Sequence, residues 1–118
     1  MISLVTIILT FFNPSLRLQS GRQVELSGKG PPLLFSPGLF GTMPPFLYSD
    51  FLNNLKKNLT IITFKDFNAI SSNDITDLTR ALSVESISYL SHSSFNSDIM
   101  DNNNINSAVL LDPICIPE

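Results

Sequence analysis

From residue 33 onward, short apolar runs alternate with stretches of helical periodicity. The apolar runs cover residues 33–35, 59–64, 86–90 and 107–111. Between them lie predicted helices over about 44–57, 72–82 and 94–100. Strands that alternate with helices are typical of a mainly parallel sheet with helices on both faces. The order therefore predicts an α/β fold.

The segment before residue 33 predicts additional strands. Residues 16–19 and 23–26 read as a hairpin around the turn at 20–22, which would add antiparallel strands at the edge of the sheet. The run from Ile2 to Phe12 is rich in β-forming residues and favours another strand. A signal peptide is the open alternative for this run, which is too short to span a bilayer.

Length and composition limit the classes of function. A chain of 118 residues predicts a single domain over residues 1–118. A net charge of −3 gives no support for nucleic-acid binding. Cys115 and His92 are the only cysteine and histidine, which excludes an intramolecular disulfide and a metal site rich in these residues. The sequence fits a reducing intracellular setting, and we expect no cofactor and no transmembrane span.

Three predicted strand ends carry residues with chemical potential. They are "SPGLFG" at 36–41, "SHSSF" at 91–95 and "DP" at 112–113. Ligands of open α/β sheets bind at the carboxyl ends of strands. The glycines of the first segment have two open interpretations, a tight turn or a loop that presents backbone N–H groups. The glycines at 28, 30, 38 and 41 lack the spacing of a phosphate-binding loop.

These segments resemble parts of the α/β-hydrolase superfamily, in particular the chlorophyllase and platelet-activating-factor-acetylhydrolase-like group. "LLFSPGLFG" resembles the loop that supplies an oxyanion-hole amide, "SHSSF" resembles the nucleophile elbow, and "AVLLDP" resembles the segment with the triad acid. The resemblance covers roughly residues 16–113. It implies a partial hydrolase fold that is incomplete at its C-terminus.

The resemblance also implies roles for individual residues. Ser93 would be the nucleophile, and Asp112 would orient the imidazole that removes its proton. The backbone N–H groups of Leu39 and Ser94 would form the oxyanion hole. An apolar ester ligand would occupy a pocket, whose expected lining residues are Phe40, Met43 and Phe46.

This sequence departs from the hydrolase pattern at the elbow and at the base. Ser91 and Phe95 replace the two elbow glycines, and no histidine follows Asp112. His92 would point away from the Ser93 hydroxyl at such an elbow, so we expect it to be a packed or hydrogen-bonded histidine. The resemblance, with these departures, thus implies a protein descended from lipid-ester hydrolases, truncated before the catalytic histidine and weak or inactive. The alternative is a non-catalytic binding module.

The predicted last strand carries a further expectation. Residues 107–111 have high β-propensity and no charge. Such a strand at the edge of a sheet is a template for association. We therefore expect self-association through this edge.

Overall fold

In the described part of the chain, six strands form one sheet. The computed structural model describes residues 14–38, 44–66 and 68–116, and the side chains of residues 45, 46, 93–97 and 112–116 lie outside the described part. The strands are β1 (Ser15–Arg17), β2 (Gln23–Gly28), β3 (Pro32–Ser36), β4 (Thr60–Phe64), β5 (Ile87–Asn96) and β6 (Ile105–Ile116). The helical elements are a 3-10 helix (Pro45–Tyr48), α1 (Ser49–Leu55), α2 (Ser72–Leu82) and α3 (Ser97–Met100).

The strand order is β1-β2-β4-β3-β5-β6. β3 pairs in parallel with β4 and β5, and β5 pairs in parallel with β6. β1 and β2 are antiparallel to each other, and β2 is antiparallel to β4. The predicted α/β fold, a mainly parallel sheet with an N-terminal antiparallel hairpin, is confirmed. The strand predicted at residues 2–12 lies outside the described residues.

Two apolar clusters cover the two faces of the sheet, and β3 contributes to both. Leu34 belongs to the cluster under α2 and α3, whereas Leu33 and Phe35 belong to the cluster under α1. Successive side chains of a strand point to opposite faces, so a strand covered on both sides needs an unbroken apolar run. The short apolar run at residues 33–35 therefore corresponds to a central strand that is covered on both faces.

The ends of β5 and β6 differ from the sequence prediction. β5 continues to Asn96 and α3 begins only at Ser97, so the strand end predicted at residue 90 and the helix start predicted at residue 94 are wrong. β6 likewise continues past the predicted turn at Asp112 to Ile116. Each extended segment supplies backbone hydrogen-bond partners for the other. Neither segment by itself therefore indicates how far its strand continues.

The pairing of β5 with β6 changes register at Ser93. His92 pairs with Leu111, and the next paired residues are Ser94 and Ile114. One residue of β5 therefore lies opposite two residues of β6, the count of a β-bulge. One of those two is a proline, which has no N–H to donate to a regular ladder.

Gly28 and Gly30 bracket the loop between β2 and β3. Both have positive φ, and a Cβ on either would overlap the backbone carbonyl of Leu59 or Asn58. The loop therefore packs against the connection between α1 and β4 so closely that only glycine fits. This packing accounts for the two glycines without any phosphate ligand.

Arg22 joins the N-terminal hairpin to the segment between β4 and α2. Its Nε and Nη2 donate to the two carboxylate oxygens of Asp66 at 3.1 and 2.5 Å, and its Nη1 donates to Asp74 at 2.5 Å. Nη1 and Nη2 also donate to the backbone carbonyls of Ala69 and Asn68. These contacts use all five N–H groups of the guanidinium.

The surroundings of Arg22 favour its charged form. The guanidinium lies 4.0 Å from the centroid of the Phe64 ring. Burial opposes the charge, but the carboxylates of Asp66 and Asp74 outweigh it and raise the pKa of Arg22 above its ordinary value. Asp74 also completes the capping box of α2, because it accepts the N–H of Ser71, whose hydroxyl accepts the N–H of Asp74. The helix predicted over residues 72–82 is confirmed.

We predict that Arg22→Ala lowers the free energy of unfolding by about 2–3 kcal/mol, because it leaves the largely buried Asp74 carboxylate without its cation. Arg80→Ala is the matched control. Arg80 contacts Asp77 at 3.9 Å and its side chain is 68% exposed, so its loss should change stability by less than about 0.5 kcal/mol. Urea unfolding of both variants measures the difference, and equal effects would contradict a structural role for Arg22.

The ion pair between Arg22 and Asp66 predicts a pH dependence of stability. The hydrogen bond from Arg22 lowers the pKa of Asp66 from its ordinary value of 3.8, against the weaker effect of burial. The stabilisation is complete above the carboxyl's unfolded pKa and is lost as the pH falls through the lowered folded value. Urea unfolding at a series of acidic pH values should show this loss in the native sequence and a smaller loss in Arg22→Ala.

The two edges of the described sheet differ in their capacity to associate. β1 has three residues, one of them Arg17. β6 is long, has no charge between residues 105 and 111, and exposes Val109 (54%) and Leu111 (38%). Natural sheets use short strands and charges to block edge pairing, so the β6 edge remains the candidate for self-association.

We predict that the protein self-associates in a concentration-dependent way and that Val109→Lys suppresses this association. Val84→Lys is the control, because Val84 is also exposed but lies in the turn before β5. Sedimentation velocity across a concentration series distinguishes the variants. A monomer at all concentrations, or equal suppression by both substitutions, would contradict association through β6.

Candidate functional site

The chain reverses direction across the sheet at the carboxyl end of β3. From β3 it passes through α1 to β4 on one side, and from β4 it passes through α2 to β5 on the other side of β3. Helices α1 and α2 pack on opposite faces. This is the topological switch point at which open α/β sheets bind ligands.

A tyrosine hydroxyl connects the elements that meet at the switch point. Gly38, two residues after β3, donates its backbone N–H to Tyr48 Oη at 2.9 Å. Tyr48 Oη lies 2.8 Å from His92 Nδ1 in β5. The Tyr48 ring packs edge-on against the rings of Phe35 and His92, with centroids 4.9 and 5.5 Å apart. The hydroxyl thus bridges the loop after β3 and the extension of β5.

The expectation for His92 is confirmed, because its ring is packed and hydrogen-bonded. Its Nδ1 is engaged by Tyr48 and its ring is half-buried. Sequence reasoning missed Tyr48 as the partner. The helix predicted over residues 44–57 includes Tyr48, but no sequence pattern links it to a histidine 44 residues away.

A second hydroxyl cluster lies on the opposite face of the same strand ends. Tyr89 is buried and forms side-chain hydrogen bonds with Ser36 and Ser91, which are also buried. Burial raises the pKa of the Tyr89 hydroxyl, and the two serine hydrogen bonds offset part of this effect. The cluster therefore stays neutral and satisfies three polar groups inside the core.

Four of the predicted site residues lie around the loop after β3. Leu39, Phe40 and Met43 lie outside the described residues. Phe46 lies in the 3-10 helix, two residues before Tyr48, and its side chain lies outside the described part. The predicted oxyanion loop and acyl pocket therefore remain predictions. The structure does locate the neighbouring Gly38 amide, whose N–H donates to Tyr48 Oη.

The predicted nucleophile and acid lie on adjacent strands. Ser93 and Asp112 both fall where the pairing of β5 and β6 is irregular, so their backbones are neighbours at the carboxyl end of the sheet. Ser93 and Ser94 lie inside β5, and α3 begins only at Ser97. The predicted position of Ser93 at a strand-to-helix junction is therefore wrong, because the extended β6 keeps this segment in the sheet.

A shallow depression beside Arg22 has no comparable chemistry. Its lining residues are Gly21, Arg22, Gln23, Lys65 and Asp66. Both carboxylate oxygens of Asp66 and all N–H groups of Arg22 are already paired. The switch point is thus the better candidate site.

The sheet order and the position of the site define a protein with part of the α/β-hydrolase fold, and solved structures share this fold. An epoxide hydrolase from Vigna radiata superimposes with a TM-score of 0.63 at 14% identity, over 88% of this chain and 39% of that chain. A hydrolase from Pseudomonas aeruginosa gives a TM-score of 0.60 at 16% identity, over 86% and 46% of the two chains.

An α/β hydrolase from Sphaerobacter thermophilus gives a TM-score of 0.56 at 16% identity, over 85% and 45%. This chain therefore spans less than half the length of these structures. No family model matches the sequence, and no curated protein matches it. Among the residues that the structure describes, no helix has the length and apolar character needed to cross a membrane.

We predict that Tyr48→Phe costs about 1 kcal/mol of stability and exposes the Gly38 amide to hydrogen exchange, because the amide loses its acceptor. Tyr89→Phe is the matched control, since it removes the only other tyrosine hydroxyl, on the opposite face. It should destabilise the protein without a selective change at Gly38. Hydrogen exchange read by NMR tests this, and unchanged protection in Tyr48→Phe would contradict the assigned bond.

Proposed function

We propose that this protein derives from serine hydrolases that cleave lipid-like carboxylic esters, of the chlorophyllase-like kind, and that the chain itself has little or no turnover. Ser93 is the proposed nucleophile and Asp112 is the proposed acid. The observation that carries the proposal is the parallel pairing of β5 and β6, because both residues fall in its irregularity between the pairs His92–Leu111 and Ser94–Ile114. The fold shared with solved hydrolases supports it.

The β-bulge of β6 opposite Ser93 is the local feature that supports this assignment. The extra residue of β6 lies at Asp112–Pro113, and bulges are over-represented next to active sites, where they redirect a side chain. In this proposal the irregular pairing of the two strands takes the place of a sharp elbow. The Ser94 amide follows directly, and with the Leu39 amide it forms the proposed oxyanion hole.

Low turnover follows from the state of His92. A serine hydroxyl needs an adjacent base to become a nucleophile at neutral pH. The only histidine of the chain, His92, has its Nδ1 engaged by Tyr48. Adjacent residues of a strand point to opposite faces, so His92 is not expected to reach its neighbour Ser93. A histidine base for Ser93 would therefore have to come from another polypeptide segment.

A second candidate is a non-catalytic binding module. The Tyr48 hydroxyl supports this alternative, because it engages the Gly38 amide and the Nδ1 atom of His92 at the switch point within the protein itself. In this alternative, Ser93 is a polar residue opposite a β-bulge, and Phe40, Met43 and Phe46 bind an apolar ligand without cleaving it.

A serine-directed fluorophosphonate probe distinguishes the candidates. We predict slow labelling of Ser93, on the order of 10⁴-fold or more below an enzyme with an intact triad, since loss of the base removes most of the activation. Labelling should disappear in Ser93→Ala and persist in Ser94→Ala, the matched control in the adjacent position.

Two results would contradict the proposal. Rapid labelling of Ser93 would mean that another group activates the serine and that the site is competent. No labelling at high probe concentration, with ester turnover also undetectable, would favour the binding module.

A further inference from the structure

We propose that Asn58 is an acceptor site for an N-linked oligosaccharide, and that it accepts the sugar only before β4 has joined the sheet. The inference is independent of the proposed function. The observations that carry it are the exposed turn before β4 and the hydrogen bond that ties the Thr60 hydroxyl to the loop between β2 and β3.

The triplet Asn58-Leu59-Thr60 has the composition that this modification requires. An N-linked sugar is added to an asparagine when serine or threonine follows two positions later and the residue between them is not proline. Asn13 has a serine at the second position, but Pro14 lies between the two. No other asparagine of the chain meets both conditions, so the sequence offers a single acceptor.

Asn58 lies in the exposed turn between α1 and β4. Its backbone is held in place, because its N–H donates to the Leu55 carbonyl at 3.1 Å and its own carbonyl packs against Gly30. The exposed part of the residue is therefore its side chain. A sugar on the carboxamide would extend into solvent without displacing the core.

Thr60 is inaccessible to an enzyme once the sheet has formed. Its Oγ1 donates to the Gly30 carbonyl at 2.8 Å, and its N–H donates to the Pro31 carbonyl at 3.0 Å. Its backbone pairs with Gly28 of β2 on one side and with Pro32 of β3 on the other. An enzyme that recognises the hydroxyl would have to break these contacts. The sugar must therefore be added before this part of the sheet closes.

The reaction is the transfer of an oligosaccharide from a lipid diphosphate to the Asn58 side chain. The carboxamide nitrogen forms a bond to the anomeric carbon of the sugar, and the bond from that carbon to the diphosphate oxygen breaks. The nitrogen loses one proton, and the lipid diphosphate leaves with the electron pair of the broken bond. The lipid-linked oligosaccharide is the only co-reactant.

The acceptor lies at the opposite end of the sheet from the switch point. β3 and β4 are parallel, and Thr60 pairs with Pro32 at the start of both strands, whereas the switch point lies at the carboxyl end of β3. Along β4, the distance from Thr60 to Phe64 is about 13 Å. A sugar on Asn58 is therefore compatible with an open candidate site.

Translation of the full chain behind a cleavable signal peptide, in the presence of microsomes from endoplasmic reticulum, tests the acceptor. We expect a slower-migrating form that an endoglycosidase converts back. Asn58→Gln and Thr60→Ala should abolish this form, and Thr60→Ser should preserve it. Asn54→Gln is the matched control, because Asn54 is also exposed but has a lysine at the second position.

Two results of this assay would overturn the proposal. One is a chain that the microsomes protect from protease but that carries no sugar. The other is a sugar that persists in Asn58→Gln.

The order of events is tested with purified, folded chain, oligosaccharyltransferase and lipid-linked oligosaccharide. Gly30→Ala keeps the triplet, but a Cβ at Gly30 overlaps the Asn58 carbonyl, so the loop cannot close on β4. We expect the native chain to react at least about tenfold more slowly than Gly30→Ala, because only its opened population is a substrate.

Gly21→Ala is the control for this comparison. Gly21 also has positive φ, but a Cβ there meets open space, so this variant should react as slowly as the native chain. Complete unfolding of Gly30→Ala would serve the test equally well, since the triplet would then be free. Equal rates for the folded native chain and Gly30→Ala would overturn the proposed order.

Discussion

The rest of the structure depends on one constraint, the burial of β3 on both faces. A five-residue strand with Leu33 and Phe35 on one side and Leu34 on the other needs cover on each side. The chain provides it by sending α1 over one face and α2 over the other. This double cover forces β4 and β5 to opposite sides of β3, and the switch point arises at its carboxyl end as a result.

The candidate site is a consequence of that geometry. The loop after β3, the start of the helical segment and the extension of β5 are brought together, and the Tyr48 hydroxyl satisfies polar groups from two of them. The arrangement also commits Nδ1 of the only histidine to a contact within the protein.

Polar side chains join the hairpin and one loop to helix α2. Arg22 ties the hairpin to the start of α2 through Asp66 and Asp74. The asparagine-rich loop between α3 and β6 has a similar role, because the Asn102 amide donates to the backbone and hydroxyl of Ser72 in α2. Asn102 therefore fastens this loop to the first turn of α2.

The sequence by itself determined the element order, the antiparallel hairpin, the extent of α2 and the apolar run of β3, because each depends on local periodicity or on residues close in the chain. The tertiary structure decided the lengths of β5 and β6, since each strand needs the other to continue past residue 92. It also decided that Ser93 lies within β5, opposite the bulge of β6 that contains Asp112, and not at a strand-to-helix junction. The partners Tyr48–His92 and Arg22–Asp74 are separated by 44 and 52 residues. No local pattern records such contacts, because only the packing of helices on the sheet brings these side chains together.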